Sequence, residues 1–145
     1  MSVTAQTNLT TRNQLQGIVR DVVTGSVMAE VKVDVHGEEL VAAITRHSAE
    51  RLDLSEGDRV SVLVKATEVM LAKGSQPIAA LTTRNQLPGK VTSVVTGSVM
   101  AEVEIDVGGD ELVAAVTKHS VARLGIAAGD DVVVLIKATE VMLGK

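Results

Sequence analysis

The chain is written twice. Residues 10 to 73 align with residues 82 to 145 at a fixed offset of 72 and without a gap, with 44 identities in 64 positions. Thr10-Thr11-Arg12-Asn13-Gln14-Leu15 returns as Thr82-Thr83-Arg84-Asn85-Gln86-Leu87, and Val22 through Val31 returns unchanged as Val94 through Val103. Lys65-Ala66-Thr67-Glu68-Val69-Met70-Leu71 returns as Lys137 through Leu143. A repeat this close has the form of a recent duplication, so the copies share a fold, and identity between them is weak evidence of function. The joint, 74–81, carries the only Gly-Ser-x-Pro cluster of the chain and is read as a linker between a domain at 10–73 and a domain at 82–145. Residues 1–9 have no counterpart beyond the linker and are expected to be a flexible start.

A unit of this size buries only about 60% of its unfolded surface and is marginal alone. With no cysteine, neither copy can use a disulfide, and 46% hydrophobic content without Phe, Tyr or Trp gives each a purely aliphatic core. The missing stability has to come from the other copy or from other subunits, so oligomerisation is expected. The absence of cysteine leaves the redox compartment open. There is no basic start followed by an apolar run, and the apolar stretches are strand-sized, short of the ~20 residues of a membrane span. A soluble, intracellular, cytoplasmic protein is expected, without a membrane partner.

Within each copy the periodicity is that of strands. From Val27 to Val35 the odd positions are Val, Ala, Val, Val, Val and the even ones Met, Glu, Lys, Asp, a half-buried strand of period two. A first strand is expected at about Leu15 to Val23, with a turn at Thr24-Gly25. A second turn follows at His36-Gly37-Glu38, or Gly108-Gly109-Asp110 in the second copy. The third strand runs to Thr45, whose hydroxyl is placed to cap a helix over Arg46–Leu52. The turn Ser55-Glu56-Gly57-Asp58 leads to a fourth strand, Arg59–Lys65, and a fifth, Thr67–Leu71. Five short strands with one helix between the third and fourth predict an all-β fold, two tandem OB-like five-stranded barrels.

The chemistry available is narrow. There is no cysteine, no Gly-rich phosphate loop before a lysine, no pair of histidines at metal-ligand spacing and no Gly-x-Ser-x-Gly turn, which argues against an enzyme. His47 and His119 are expected as exposed helix residues, since one imidazole per copy makes a poor metal site, and His36, replaced by Gly108, as a turn residue. The net charge is −4, split evenly between the copies, and OB barrels that bind single strands stack bases on aromatic rings that are absent here. A nucleic-acid partner is not expected. What remains is a set of donors: Arg12 among two threonines, Lys65 at the end of an apolar strand, and Thr45 and Ser48 at a helix start with free backbone N–H groups. A tetrahedral dianion leaving water needs donors from several directions and cationic compensation, which this set can supply. Taken singly, each has a plainer role: Arg12 in a surface ion pair, Lys65 as a solvated strand end, Thr45 as a helix cap.

At these residues the sequence resembles the Mop family of molybdate-binding proteins, the molbindins, in their tandem form. Thr10 to Val19 matches the family's opening Ser-Ala-Arg-Asn-x-Leu-x-Gly-x-Val, and Gly25-Ser26-Val27-Met28-Ala29-Glu30-Val31 its central Gly-x-Val-x-Ala-Glu-Val. Lys65-Ala66-Thr67-Glu68-Val69 matches its closing Lys-[Ala/Ser]-x-x-Val. The resemblance implies cytoplasmic binding of molybdate or tungstate for molybdenum storage and homeostasis, with no organic cofactor and no directly ligated metal. It also implies six barrels in a ring, a homotrimer for a tandem chain, with sites at contacts between domains. By the same resemblance the oxyanion is held by Thr10, Thr11, Arg12, Thr45, Ser48, Lys65 and Ala66, and in the second copy by Thr82, Thr83, Arg84, Thr117, Ser120, Lys137 and Ala138. A second site class, near the trimer axis, uses Thr24, Gly25, Ser26, Val27, Met28 and Ala29, and Thr96, Gly97, Ser98, Val99, Met100 and Ala101. The sequence departs from the family at its first position, usually Ser and here Thr10 or Thr82, followed by Thr rather than Ala. The hydroxyl is kept, and the added methyl and hydroxyl can narrow or reshape the pocket. The rival function is a structural or regulatory oligomeric module that senses oxyanions for a partner.

Overall fold

The computed structural model of the chain describes residues 8–145; of the stretch 1–9 read as a flexible start, residues 1–7 lie outside the described region. The described chain holds ten strands and two short helices. These are β1 (Asn13–Thr24), β2 (Met28–Val35), β3 (Glu38–Thr45), α1 (Arg46–Arg51), β4 (Arg59–Val64) and β5 (Met70–Lys73), then β6 (Asn85–Thr96), β7 (Met100–Val107), β8 (Asp110–Thr117), α2 (Lys118–Leu124), β9 (Asp131–Ile136) and β10 (Met142–Gly144). Short 3-10 turns, Ala66–Glu68 and Ala138–Glu140, precede β5 and β10.

The strands form two five-stranded antiparallel sheets, ordered β10-β4-β1-β2-β3 and β5-β9-β6-β7-β8. Each sheet thus takes four strands from one copy of the repeat and its fifth from the other. Met142 is registered to Leu63 and Gly144 to Ser61 in the first sheet, while Met70 is registered to Leu135 and Lys73 to Val132 in the second. Among the described residues two compact units result, one of residues 8–64 with 137–145, the other of residues 65–136. The strand that closes each repeat therefore packs in the sheet of the other copy. A tight turn in the Lys65–Glu68 segment precedes it. Glu68 N–H donates to the Lys65 carbonyl at 2.9 Å and Val69 N–H to Ala66 at 3.3 Å, a 3-10 turn that ends β4 at Val64 and delays the fifth strand to Met70. The continuous strand expected from Thr67 does not form.

β1 is long because it serves two partners. Asn13 to Ile18 pairs with β4, and Ile18 to Thr24 pairs with β2. A bulge between Val19 and Asp21 shifts the register, and on its other edge the backbone of Val19 bonds to the turn before β4, donating to the Asp58 carbonyl and accepting from the Gly57 N–H, both at 2.8 Å. Bulges bend and twist a strand, which lets one strand run round a barrel corner. Gly17 sits at that corner. A Cβ there would lie 2.5 Å from Val33 Cγ1 and 3.0 Å from the Asp34 carbonyl, and one at Gly89 would lie 2.7 Å from the Asp106 carbonyl. Both glycines are required by close approach. The sheets curl until their edges, β3 with β10 and β8 with β5, come together, giving two OB-type barrels.

Of the odd positions expected to face inward, Ala29, Val31, Val33 and Val35 of β2 are buried, and Val60, Val62 and Val64 of β4 join them with Leu15, Val19 and Leu40, whereas Val27 lies before the strand in the hairpin tip and is exposed. Aliphatic β-branched side chains suit this pleated interior, and each such side chain removed from water contributes roughly 1.5–3 kcal/mol. The exchanged segments add their own core residue, Val141 in the first unit and Val69 in the second, 3% and 2% exposed.

Candidate functional site

The donors sort into two groups by position along β1. Thr10, Thr11 and Arg12 lead into the strand at Asn13, which is registered to Val64, the last residue of β4; Lys65 and Ala66 follow immediately. The second copy of the repeat does the same, with Thr82, Thr83 and Arg84 leading to Asn85, registered to Ile136, after which come Lys137 and Ala138. Asn13 and Asn85 are 2% exposed and begin the strand on a buried, hydrogen-bonding residue. Beside them Gln14 Nε2 donates to the Thr11 carbonyl at 3.0 Å, and Gln86 Nε2 to the Thr83 carbonyl at 3.1 Å. These amides shape the Thr-Thr-Arg segment, and the sequence reading missed them. The available signal was a part-buried glutamine kept in both copies.

The remaining donors lie at the far end of β1. Thr45 closes β3 and caps α1: its Oγ accepts the Ser48 N–H at 3.1 Å and donates to Ser48 Oγ at 2.9 Å. Thr117 and Ser120 do the same for α2, at 3.1 and 2.8 Å. The hairpin tips expected as a second site class share this end. Gly25 N–H donates to the Met28 carbonyl at 2.7 Å and Arg46 N–H to the Val27 carbonyl at 2.9 Å, which ties the tip to the helix start. In the second unit Lys118 N–H bonds to Val99 at 2.8 Å. Val27 and Val99 are each 69% exposed, with Val23, Met28, Val95 and Met100 beside them on the surface.

Along β1 the two groups stand at opposite ends: Thr10–Arg12 lead into Asn13, whereas Thr45 is registered to Met28, beside the hairpin that follows Thr24. The 3-10 turn that follows Lys137 packs against β3, the strand that Thr45 closes, and the turn after Lys65 packs against β8.

His47 and His119 are exposed on their helices and His36 sits in its turn with φ 49°, as expected. Among the described residues no group of three or more His, Asp or Glu side chains is placed to hold a metal ion. Nor is any helix among them long and apolar enough to cross a membrane. Two carboxyls have their acidity strengthened by neighbours. Asp34 is held below the usual carboxylate range first by the Arg20 guanidinium, 3.0 Å away, then by the Gly37 N–H. Asp58 is lowered first by the Ser55 N–H and then by Lys145. Both are far from the donor groups and serve turns.

Residues 9–71 and 81–143 each match the TOBE domain. The chain belongs to the TOBE-domain family. Over 134 residues this tandem TOBE chain is 39% identical to the molybdenum transport protein ModE of Azotobacter vinelandii and covers 49% of that protein. It is 38% identical over the same length to the molybdenum-pterin-binding protein MopA of Rhodobacter capsulatus, covering 50%. Each match takes in 91% of the present chain, which thus spans about half the length of these curated relatives. The fold matches a crystal structure of the cytoplasmic molybdate-binding protein ModG, in a form with molybdate bound, at a TM-score of 0.89 and 39% identity. That match covers 94% of the present chain and 98% of ModG, so the tandem TOBE arrangement is common to both. These relatives carry the names of binding and transport proteins.

Proposed function

We propose that the chain binds molybdate or tungstate reversibly in the cytoplasm, as a store or buffer of the oxyanion, and works as a homotrimer of six barrels. The observation that carries this reading is the donor set itself, placed at strand ends and helix caps: one part supplies the cationic side chains Arg12 and Lys65, or Arg84 and Lys137, the other the hydroxyls of Thr45 and Ser48, or Thr117 and Ser120. A dianion seated where neighbouring barrels meet would receive both. Cations offset its charge, and hydroxyls and backbone N–H groups orient it. No bond is made or broken, and sulfate is refused by pocket size. The names of the relatives, ModE, MopA and ModG, support the choice of molybdate. Because such a site exists only in the assembly, ligand stabilises the assembly by mass action.

Calorimetric titration with molybdate, tungstate and sulfate, with native mass spectrometry to count anions per assembly, tests the reading. Heat with the first two and a trimeric mass are expected; no heat with any of them overturns it. The exposed apolar tips at Val27 and Val99 favour one further role, a structural oligomeric module, and that role would survive a null titration.

A further inference from the structure

We propose that Met28 and Met100 are sites of reversible oxidation whose sulfoxides weaken oxyanion binding at the neighbouring Thr-Ser pairs; the proposal rests on the oxyanion reading above. Met28 is the direct cross-strand partner of Thr45, and Met100 of Thr117. Directly opposed residues of antiparallel strands project from the same face with Cβ atoms about 4.5–5.5 Å apart. Each thioether therefore stands beside a hydroxyl already bonded to Ser48 or Ser120.

The core does not account for a methionine there. Along β2 its side continues as Glu30, Lys32 and Asp34, and along β7 as Glu102, Glu104 and Asp106, so it is the sole apolar side chain that each of these strands turns to that side. It is 43% exposed at Met28 and 44% at Met100. With no cysteine in the chain, the exposed thioethers are the groups open to mild two-electron oxidants.

With hydrogen peroxide as oxidant, a sulfur lone pair attacks one peroxide oxygen, the O–O bond breaks, and the departing hydroxide takes a proton and leaves as water. Sulfur is oxidised by two electrons and the peroxide oxygen is reduced. The resulting S–O group is a strong acceptor with negative charge on oxygen. It competes for the Thr45 and Ser48 hydroxyls and repels a dianion, whereas the thioether does neither. Methionine sulfoxide reductases restore the thioether.

The test uses the full-length protein treated with hydrogen peroxide, with peptide mass spectrometry to locate sulfoxides and calorimetry to measure molybdate binding before and after. The parent is expected to carry sulfoxide at Met28 and Met100 and to lose about tenfold in affinity, the loss of one hydrogen bond to a charged group. The M28L/M100L variant is expected to keep its affinity through the same treatment, and M70L/M142L to lose it like the parent. Three results overturn the proposal: no sulfoxide at the two positions when free methionine is oxidised, unchanged binding in oxidised parent, or equal loss in M28L/M100L. Absence of molybdate binding before any peroxide is a different failure, that of the oxyanion reading, and this proposal falls with it.

Discussion

Lys145 Nζ lies 3.1 Å from the Asp58 carboxylate and also donates to the carbonyls of Leu52 and Asp53 at 3.2 and 2.9 Å. Lys145 follows β10, the strand contributed by the second copy, whereas Asp58 belongs to the turn before β4 of the first. The second unit repeats the arrangement: Lys73, at the end of β5, bonds to the Gly125 carbonyl at 3.0 Å and lies 3.6 Å from Asp130. Each exchanged strand thus ends on a lysine that fastens it to the loop after the helix of its host sheet. Lys145→Ala and Lys73→Ala are expected to lower the urea midpoint of unfolding without changing its slope, since the surface exposed on unfolding stays the same.

The same contacts set a pH dependence. The carboxyls of Asp58 and Asp34 are lowered in the folded protein, by the Ser55 N–H and Lys145 in one case and by Arg20 and the Gly37 N–H in the other. The folded state therefore binds these protons less readily than the unfolded chain. Their contribution is fully present above the ordinary carboxylate value of about 3.9 and is lost as pH falls through the lower, folded values. Urea midpoints taken from pH 7 downward should hold to about pH 5 and then fall, and the fall should be shallower in Asp58→Asn. A midpoint in that variant tracking the parent at every pH would refute this account.

Gly17→Ala and Gly89→Ala are each expected to destabilise by about 2 kcal/mol or more, within or above the usual range for forcing a methyl into a packed interior. Gly89→Ala should cost more. Its nearest obstacle includes the Asp106 carbonyl at 2.7 Å, whereas at Gly17 the nearest is a Val33 methyl at 2.5 Å with the Asp34 carbonyl at 3.0 Å; a side chain can shift where a sheet carbonyl cannot. Denaturant unfolding of both variants checks the order as well as the sign.

After the helices the copies differ in a way that predicts opposite signs. Asp53 takes φ 50° where the second copy has Gly125 at φ 63°. A left-handed residue after a helix is normally glycine, because a Cβ is disfavoured there. Asp53→Gly should gain a few tenths to about 1 kcal/mol, and Gly125→Ala should lose about 1 kcal/mol. Thermal unfolding of the pair tests both.

Replacing Lys65 and Lys137 together by Ala is expected to weaken molybdate binding at least about tenfold, the scale for losing a charge-assisted contact, while the proposed trimer persists without ligand. Undiminished uptake by that variant would remove these lysines from the site.

Much of the local structure was legible because it depends on short stretches of chain. The alternation over Val27–Val35 predicts β2 and its buried face, and Thr45 followed by Ser48 predicts a capped helix start, which forms with Ser48 N–H on Thr45 Oγ at 3.1 Å. The donor residues were nameable for the same reason, since each stands beside a strand end or a cap. Their grouping was not nameable. That Thr10–Arg12 and Thr45–Ser48 fall at opposite ends of β1 follows from its register against β4 and β2 and from that of β2 against β3, which a bulge at Val19–Asp21 shifts.

The sequence alone determined that there are two like units of antiparallel strands with aliphatic cores and a shared donor set. Only the tertiary structure decided which strand completes which sheet. Met70-Leu71-Ala72-Lys73 and Met142-Leu143-Gly144-Lys145 differ at one position, and the Val62-Leu63 and Val134-Leu135 pairs they join are identical. Nearly the same strand meets the same partners in either pairing, so local preference cannot choose between them. The choice falls to long-range geometry, and in the folded chain the strand after each 3-10 turn joins the sheet built by the other copy.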